Sequence, residues 1–291
     1  MATAKTPLSE MSDALASIVA AAAPAVVAIH TPNSRSSGFV WRAGLIATAD
    51  DAVGDGDITV MFGDGREAAA TFAGRDATTD IALLRVDTGS AKPRQTRPAT
   101  VAAGSLVIVV GADDILPVVA LGLAAKVGGA WQSQRGGEID ARIDLSVDLR
   151  RRAEGGVVMD AAGDVVGMAV FGPRQRALVI PSATIERVAT RLSQDGRIAR
   201  GYLGIGLQSV ATGEGRSGIM VMSTDPDGPA AKAELHQGDI IVGWDGEAVG
   251  DVRSLVRRLG PDSVGRTVEL DIVRAGKTSR AALTIADKPA R

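Results

Sequence analysis

The stretch Ile143–Met168 reads IDLSVDLRRRAEGGVVMDAAGDVVGM, and its second half decides the fold. Two apolar runs flank an Ala-Gly-Asp turn, a pattern typical of a β-hairpin. Gly155 and Gly156 stand directly before the first run, where the backbone must approach other atoms closely. The stretch therefore predicts a tight loop followed by two antiparallel strands.

Length and composition favour a mainly β protein with two domains. The chain has 291 residues, 45% of them hydrophobic, with 35 glycines and 12 prolines but only four Phe, three Trp and one Tyr. Such a chain can bury two cores, filled by Val, Ile, Leu and Ala in short strands.

Charge and cysteine content exclude several classes of function. The net charge is −2, from 32 basic and 34 acidic residues, so neither nucleic acid nor an anionic membrane is an expected partner. Because there is no cysteine, disulfides, thiolate metal sites and a cysteine nucleophile are excluded. No phosphate-binding or metalloprotease motif occurs, so no cofactor is expected.

The N-terminal region contains an apolar run, Leu15–Ile29, that is too short to span a bilayer and is interrupted by Pro24. The residues before it are not basic, unlike those of a secretory signal. We expect a helix over Ser9–Ala23, a core strand over Ala25–His30 and a cytoplasmic location.

From Gly38 onward, short runs with period-two alternation are bounded by Gly or Asp, and their number fits two six-stranded barrels. A helix with Ser182 as its cap is predicted over Ser182–Leu192. A second region of about 90 residues follows it.

Five segments resemble, in order, landmarks of the HtrA family of trypsin-like proteases. They are TDIALLRV (Thr79–Val86), GDVVGM, IPSATIERV, RGYLGI and Pro229–Val249. The resemblance implies a chymotrypsin-like double six-stranded β-barrel followed by a PDZ domain, in a protein of protein quality control. The expected limits are 1–190 for the protease-like domain, 191–199 for a linker and 200–291 for the PDZ domain.

The resemblance also shows that two of the three triad positions carry the wrong residues for a serine protease. Where the family has Gly-Asn-Ser-Gly-Gly-Pro, this chain has Arg152-Ala-Glu-Gly-Gly-Val157, so Glu154 replaces the serine. Asp51 takes the histidine position, while Asp80 matches the orienting aspartate. His30 and His236, the only histidines, match no catalytic position.

The loop that should form the oxyanion hole departs as well, since Arg152 replaces a glycine whose flexibility helps set the hole. We therefore expect a pseudoprotease without enzymatic activity, which binds peptides in a scaffolding or regulatory role. The alternative that the fold alone suggests is an active serine-type endopeptidase.

Asp51, Asp80 and Glu154 would bring three carboxylates together. Such a cluster either recruits a cation such as Ca²⁺ or Mg²⁺ or pairs with the basic run Arg150–Arg152. The sequence favours the ion pair, so no metal is expected.

The PDZ resemblance implies a groove that binds peptide or protein C-termini by strand addition. The loop Tyr202-Leu203-Gly204-Ile205 would hold the terminal carboxylate, and a helix over Val252–Leu259 would face it. Leu255 and Leu259 of this helix serve either the groove or the core. Active HtrA-type relatives are further candidate partners. Family members often form trimers through aromatic contacts near the N-terminus. Phe39 and Trp41 lie in the corresponding part of the chain, but they also fit the first hairpin, so the oligomeric state stays open.

Overall fold

A computed structural model describes residues 6–54, 56–93, 100–213 and 216–289. The chain forms two compact units. One runs up to Trp131 and includes Glu138–Arg197, and the other contains Gln132–Gly137 together with the residues from Ile198 onward. The domain limits expected from the sequence stay a prediction.

The first unit begins with α1 (Pro7–Ala22), whose cap is Thr6, and a short 3₁₀ turn, Ala23–Ala25. Six strands then close into a barrel in the order β1-β2-β3-β6-β5-β4. Its interior is apolar and includes Ile29, Ile46 and Phe62. The strands are β1 (Val26–Thr31), β2 (Ser34–Arg42), β3 (Leu45–Thr48), β4 (Ile58–Phe62), β5 (Glu67–Asp76) and β6 (Ile81–Arg85).

A second barrel closes in the order β11-β14-β13-β12-β7-β8. The long strands are β7 (Leu106–Asp113) and β8 (Leu116–Gly128), and the short pair β9 (Trp131–Gln132) and β10 (Glu138–Ile139) follows. The remaining strands are β11 (Arg142–Ser146), β12 (Val157–Asp160), β13 (Val165–Phe171) and β14 (Ala177–Pro181). The two six-stranded barrels predicted from the sequence are confirmed.

The predicted hairpin is β12–β13, in which Val157 pairs with Met168. One oxygen of Asp160, Oδ1, accepts the amides of Ala162 and Asp164, each at 2.9 Å. Gly163 has φ +80°, a conformation that glycine adopts without strain. The side chain of Asp160 thus stabilises the turn by accepting two of its backbone amides.

The helix limits differ slightly from those expected. The first helix begins at Pro7 instead of Ser9 because Thr6 accepts the amide of Ser9 at 3.3 Å and caps the helix earlier. The second, α2 (Ser182–Asp195), extends beyond Leu192 to a left-handed Gly196. Ser182 is its first residue and does not cap it.

The second unit is built on the sheet β16-β17-β18-β20-β21, with β19 beside β18. Strand β16 ends this order, so one of its edges pairs with no strand in the described residues. The elements are β15 (Gly201–Tyr202), β16 (Ile205–Gly213), β17 (Arg216–Thr224), α3 (Pro229–Lys232), β18 (Ile240–Trp244), β19 (Glu247–Ala248), α4 (Val252–Arg257), β20 (Thr267–Arg274), β21 (Lys277–Thr284) and β22 (Ala286–Asp287).

α4 is shorter than the expected helix Val252–Leu259, and its cap is Asp251, which accepts the amide of Ser254 at 2.8 Å. In the part of the chain that the structure describes, no helix combines the length and the apolarity needed to cross a bilayer.

Candidate functional site

The loop before β12 keeps the sharp turn of a nucleophile loop. It forms a 3₁₀ turn over Arg151–Ala153 and then reaches Gly155, where φ is +82°. A Cβ on Gly155 would lie 2.1 Å from the carbonyl oxygen of Ser37, which is far inside van der Waals contact. Glycine is therefore required here, and the residue before it is presented at a fixed point between the barrels.

That residue is Glu154, and its side chain is held inside the protein. It is 6% exposed, and its Oε1 accepts the amide of Phe171 at 3.3 Å. Burial raises the pKa of Glu154 above its ordinary range, although the amide of Phe171 and the positive charge of Arg151 act to lower it. The carboxylate therefore connects the loop to β13 and is not exposed to solvent as a nucleophile would be.

The amides of the loop are already engaged within it. The amide of Ala153 donates to the carbonyl of Arg150 at 2.8 Å, and that of Glu154 donates to the carbonyl of Arg151 at 3.1 Å. An oxyanion hole needs amides that point at the substrate oxygen. The amide at the nucleophile position therefore does not serve as such a donor in this conformation.

Ser37 of β2 ties the loop to both barrels. Its hydroxyl accepts the amide of Ala112 at 2.8 Å and donates to the carbonyl of Arg152 at 2.5 Å. Its own amide donates to the carbonyl of Glu154 at 2.8 Å. Sequence reasoning missed Ser37, because nothing in a serine on a strand indicates that its hydroxyl faces a loop 115 residues away.

Asp80, the position expected to carry the orienting aspartate, bonds to the backbone of Asp51. It lies directly before β6 at φ +58°, and its Oδ1 accepts the amide of Asp51 at 2.8 Å. Burial raises the pKa of Asp80 to about 7, with further upward contributions from the charges of Asp51 and Glu154. The hydrogen bond from Asp51 acts in the opposite direction. The three predicted residues thus lie close enough for the charges of Asp51 and Glu154 to raise the pKa of Asp80.

A fourth carboxylate, Asp50, belongs to the same cluster and was not foreseen. It is 5% exposed, and its Oδ1 accepts Nε of Arg75 at 2.5 Å. Burial raises its pKa, although Arg75 acts to lower it. The guanidinium of Arg75 also stacks on Phe72, 4.3 Å from the ring centre. The adjacent acids Asp50 and Asp51 were a weak signal for this residue.

Of the basic run Arg150–Arg152 that was expected to pair with the acidic cluster, Arg152 instead forms an ion pair with Asp113, whose β7 strand runs beside the loop. Arg151 does act on the cluster, since its positive charge lowers the pKa of Glu154. Nε2 of His30 lies 3.1 Å from Asp114, the residue after Asp113. Within the described residues, no group of three or more His, Cys, Asp or Glu side chains is arranged to hold a metal ion.

The second unit contains a cavity of about 240 Å³ at the start of β16. All four predicted loop residues, Tyr202 to Ile205, line it, and Gly204 has φ +73°. The hydroxyl of Tyr202 donates to Asp225 at 2.9 Å and fixes the loop from its outer side. The cavity therefore lies where a strand added to the open edge of β16 would end.

The two leucines predicted for the groove occupy different places. Leu259 lines the cavity, whereas Leu255 is fully buried in the core of the unit. Val256, three residues before Leu259, lines the cavity as well. The helical spacing in the sequence indicated that one face of this segment lines the groove. Only the orientation of the helix shows that this face carries Val256, while Leu255 points into the core.

Comparison with known families identifies both units. A trypsin-like peptidase domain matches residues 36–168, and a PDZ domain matches residues 201–285. The sequence is 32% identical over 281 residues to a probable periplasmic serine endoprotease, DegP-like, of Brucella suis, and 30% identical over 283 residues to the protein of the same name in Rhizobium meliloti. Each alignment covers 89% of this chain and 53% or 54% of the relative, so the chain spans about half the length of these relatives.

Two solved structures have a similar fold. The serine endoprotease of Yersinia pestis superposes with a TM-score of 0.71 at 26% identity, over 94% of this chain and 98% of its own. A variant of the HtrA-type protease AlgW, solved with a tripeptide, superposes with a TM-score of 0.69 at 25% identity, over 94% and 97%.

Fold and site together define a two-barrel, chymotrypsin-like domain followed by a PDZ domain. In these two domains and in its fold the chain is similar to HtrA-type proteases.

The cytoplasmic location expected from the sequence is contradicted by these relatives, which are named periplasmic. The expectation rested on the N-terminal residues alone, and the acidic character of that segment was a poor guide.

Proposed function

We propose that this chain is an inactive member of the HtrA family that binds peptide C-termini through its PDZ domain. The observation that carries the proposal is the state of residue 154: it is a buried glutamate whose amide already donates to the carbonyl of Arg151. A serine protease needs at this point a hydroxyl and an amide directed at the substrate.

The histidine position supports the same conclusion. Asp51 supplies a second negative charge where an imidazole would accept and return a proton. Loss of the nucleophile and base together lowers kcat of a serine protease about 10⁶-fold. The residual rate that an intact oxyanion hole would provide is not expected either, because the amide of residue 154 is engaged.

Peptide binding is supported by the second unit. Strand β16 offers an open edge, and the cavity at its start is lined by Leu203, Ile205, Val256 and Leu259. An extended peptide would pair with β16, place its last side chain among these apolar groups and direct its carboxylate to the loop amides. The AlgW variant, a similar protein, was solved with a tripeptide, which supports peptide binding.

The test of binding compares two peptides that differ only at the terminus. Isothermal titration of the full chain with a decapeptide ending in a free apolar residue should give saturable binding, and the same peptide with a terminal carboxamide should bind at least about tenfold more weakly. Equal binding of the two peptides would contradict C-terminal recognition.

An active serine endopeptidase is the second candidate, favoured by the names of the relatives. An assay of the degradation of an unfolded protein distinguishes the two candidates, because only an active endopeptidase cleaves the substrate.

The names of the relatives also support a periplasmic location for this chain.

Homo-oligomer formation is a further part of the proposal, supported by an apolar cavity of about 510 Å³ lined by Phe39, Trp41 and Ile185. Active HtrA-type relatives are further candidate partners of an inactive member. Light scattering of this chain mixed with such a relative would detect a complex of the two.

A further inference from the structure

The groove between β16 and α4 is closed at one end by a direct contact between the two elements. The amide of Val252, the first residue of α4, donates to the hydroxyl of Ser209 at 3.1 Å. Ser209 lies in the middle of β16, where it pairs with Ile219 of β17. Because a serine side chain is short, this bond holds the backbone of α4 within roughly 6 Å of the backbone of β16.

The PDZ cavity lies at the other end of the same groove. Two apolar residues of β16 and two from the α4 side form its walls, namely Ile205, Leu207, Val256 and Leu259. A strand advances about 7 Å over the two residues from Leu207 to Ser209. A helix advances about 6 Å over the four residues from Val256 back to Val252. The two lengths agree, so the strand and the helix run side by side in opposite directions, and the contact lies directly beyond the cavity.

A peptide that is added to the edge of β16 would reach this contact after about four residues. With its carboxylate at the loop, its last residue lies beside Ile205, the first residue of β16, and the peptide runs antiparallel to the strand. The third residue from its end then lies beside Leu207, and the fifth lies beside Ser209. Since paired strands are about 4.8 Å apart, no further backbone fits between β16 and α4 at the level of Ser209.

We propose that Ser209 sets the length of peptide that this groove reads, so that the last four residues of a ligand contribute to affinity and earlier residues do not. The proposal rests on the proposed peptide-binding function and specifies how much of the ligand is recognised. Strand β16 itself continues to Gly213, so an unobstructed edge would pair with about four more ligand residues. The contact with α4, and not the end of the strand, therefore fixes the limit.

A series of peptide lengths measures this limit. Isothermal titration of the full chain uses N-acetylated peptides of four, six and ten residues, which share one C-terminal sequence and end in a free valine. The three peptides should bind with the same affinity within about twofold. Along an open edge the decapeptide would form further backbone hydrogen bonds and bind at least about threefold more tightly than the tetrapeptide. Such a gain in the wild type would overturn the proposal.

A variant assigns the limit to Ser209. Ser209→Ala removes the acceptor of the Val252 amide and frees the start of α4 to move away from β16. The decapeptide should then bind at least about threefold more tightly than to the wild type, while the affinity of the tetrapeptide stays the same. Unchanged binding of the tetrapeptide also shows that the variant is folded.

The matched control is Ser279→Ala, at an exposed position of β21, which lies at the opposite end of the sheet. It should leave the affinities of all three peptides unchanged. A decapeptide that binds Ser209→Ala no more tightly than the wild type would also overturn the proposal. Failure of the proposed function is a separate result, in which the tetrapeptide with a terminal carboxamide binds as tightly as the free acid.

Discussion

The carboxylate of Asp80 should make the protease-like unit less stable as the pH rises, and Asp80→Asn should remove this effect. Asp80 has a pKa of about 7 in the folded protein and 3.8 as its ordinary value. Between these values the unfolded chain has lost the proton that the folded chain still holds, so the free energy of unfolding falls with rising pH. Below pH 3.8 the contribution is fully present, and above pH 7 it is lost.

The size of the effect follows from the shift. At about 1.4 kcal/mol per pH unit, a shift of about three units corresponds to at most about 4 kcal/mol. Because the side chain is only partly buried, we expect about 2–3 kcal/mol. Asparagine suits this position because its carbonyl still accepts the amide of Asp51 and because it tolerates φ +58° better than most residues.

The assay has two parts. Carboxyl ¹³C NMR should show Asp80 titrating near pH 7, and urea unfolding followed by circular dichroism should show Asp80→Asn gaining stability over the wild type at pH 8 but not at pH 4. Asp57→Asn is the matched control, since Asp57 is an exposed carboxylate before β4 in the same unit. Titration of Asp80 near pH 4, or an Asp80→Asn variant that behaves like Asp57→Asn at pH 8, would refute the reasoning.

Four further outcomes are expected. In a thermal melt, Gly155→Ala should lower the free energy of unfolding by more than about 2 kcal/mol, because its Cβ would meet the Ser37 carbonyl at positive φ. The control Gly129→Ala, whose Cβ would enter open space, should change the stability little. Ser37→Ala should cost about 1–3 kcal/mol in urea unfolding by leaving the amide of Ala112 without its acceptor. Leu255→Ala should destabilise the PDZ domain by about 2–5 kcal/mol, while Leu259→Ala should mainly weaken peptide binding in titration calorimetry. The double variant Asp51→His/Glu154→Ser should not regain peptidase activity on a fluorescent substrate, because the amide of residue 154 still donates to Arg151.

Much of the fold was accessible from the sequence, because it depends on local patterns. The hairpin β12–β13 follows from two apolar runs and the Asp160–Asp164 turn, and both barrels follow from alternation and turn residues. The altered triad positions could be identified because each is a single residue within a recognisable segment, as with Glu154 before Gly155.

Contacts between distant segments could not be predicted in the same way. The bond from Ser37 to Arg152 and the pair Arg152–Asp113 depend on how two barrels meet, which no local pattern encodes. For the same reason, the sequence did not reveal that Arg135 lines the PDZ cavity.

Degradation of an unfolded protein tests the central claim most directly. Purified wild-type chain should release no more fluorescent peptide from fluorescein-labelled casein than the Glu154→Ala variant or buffer alone. Cleavage by the wild type that Glu154→Ala abolishes would contradict the claim that residue 154 and its loop form an inactive site.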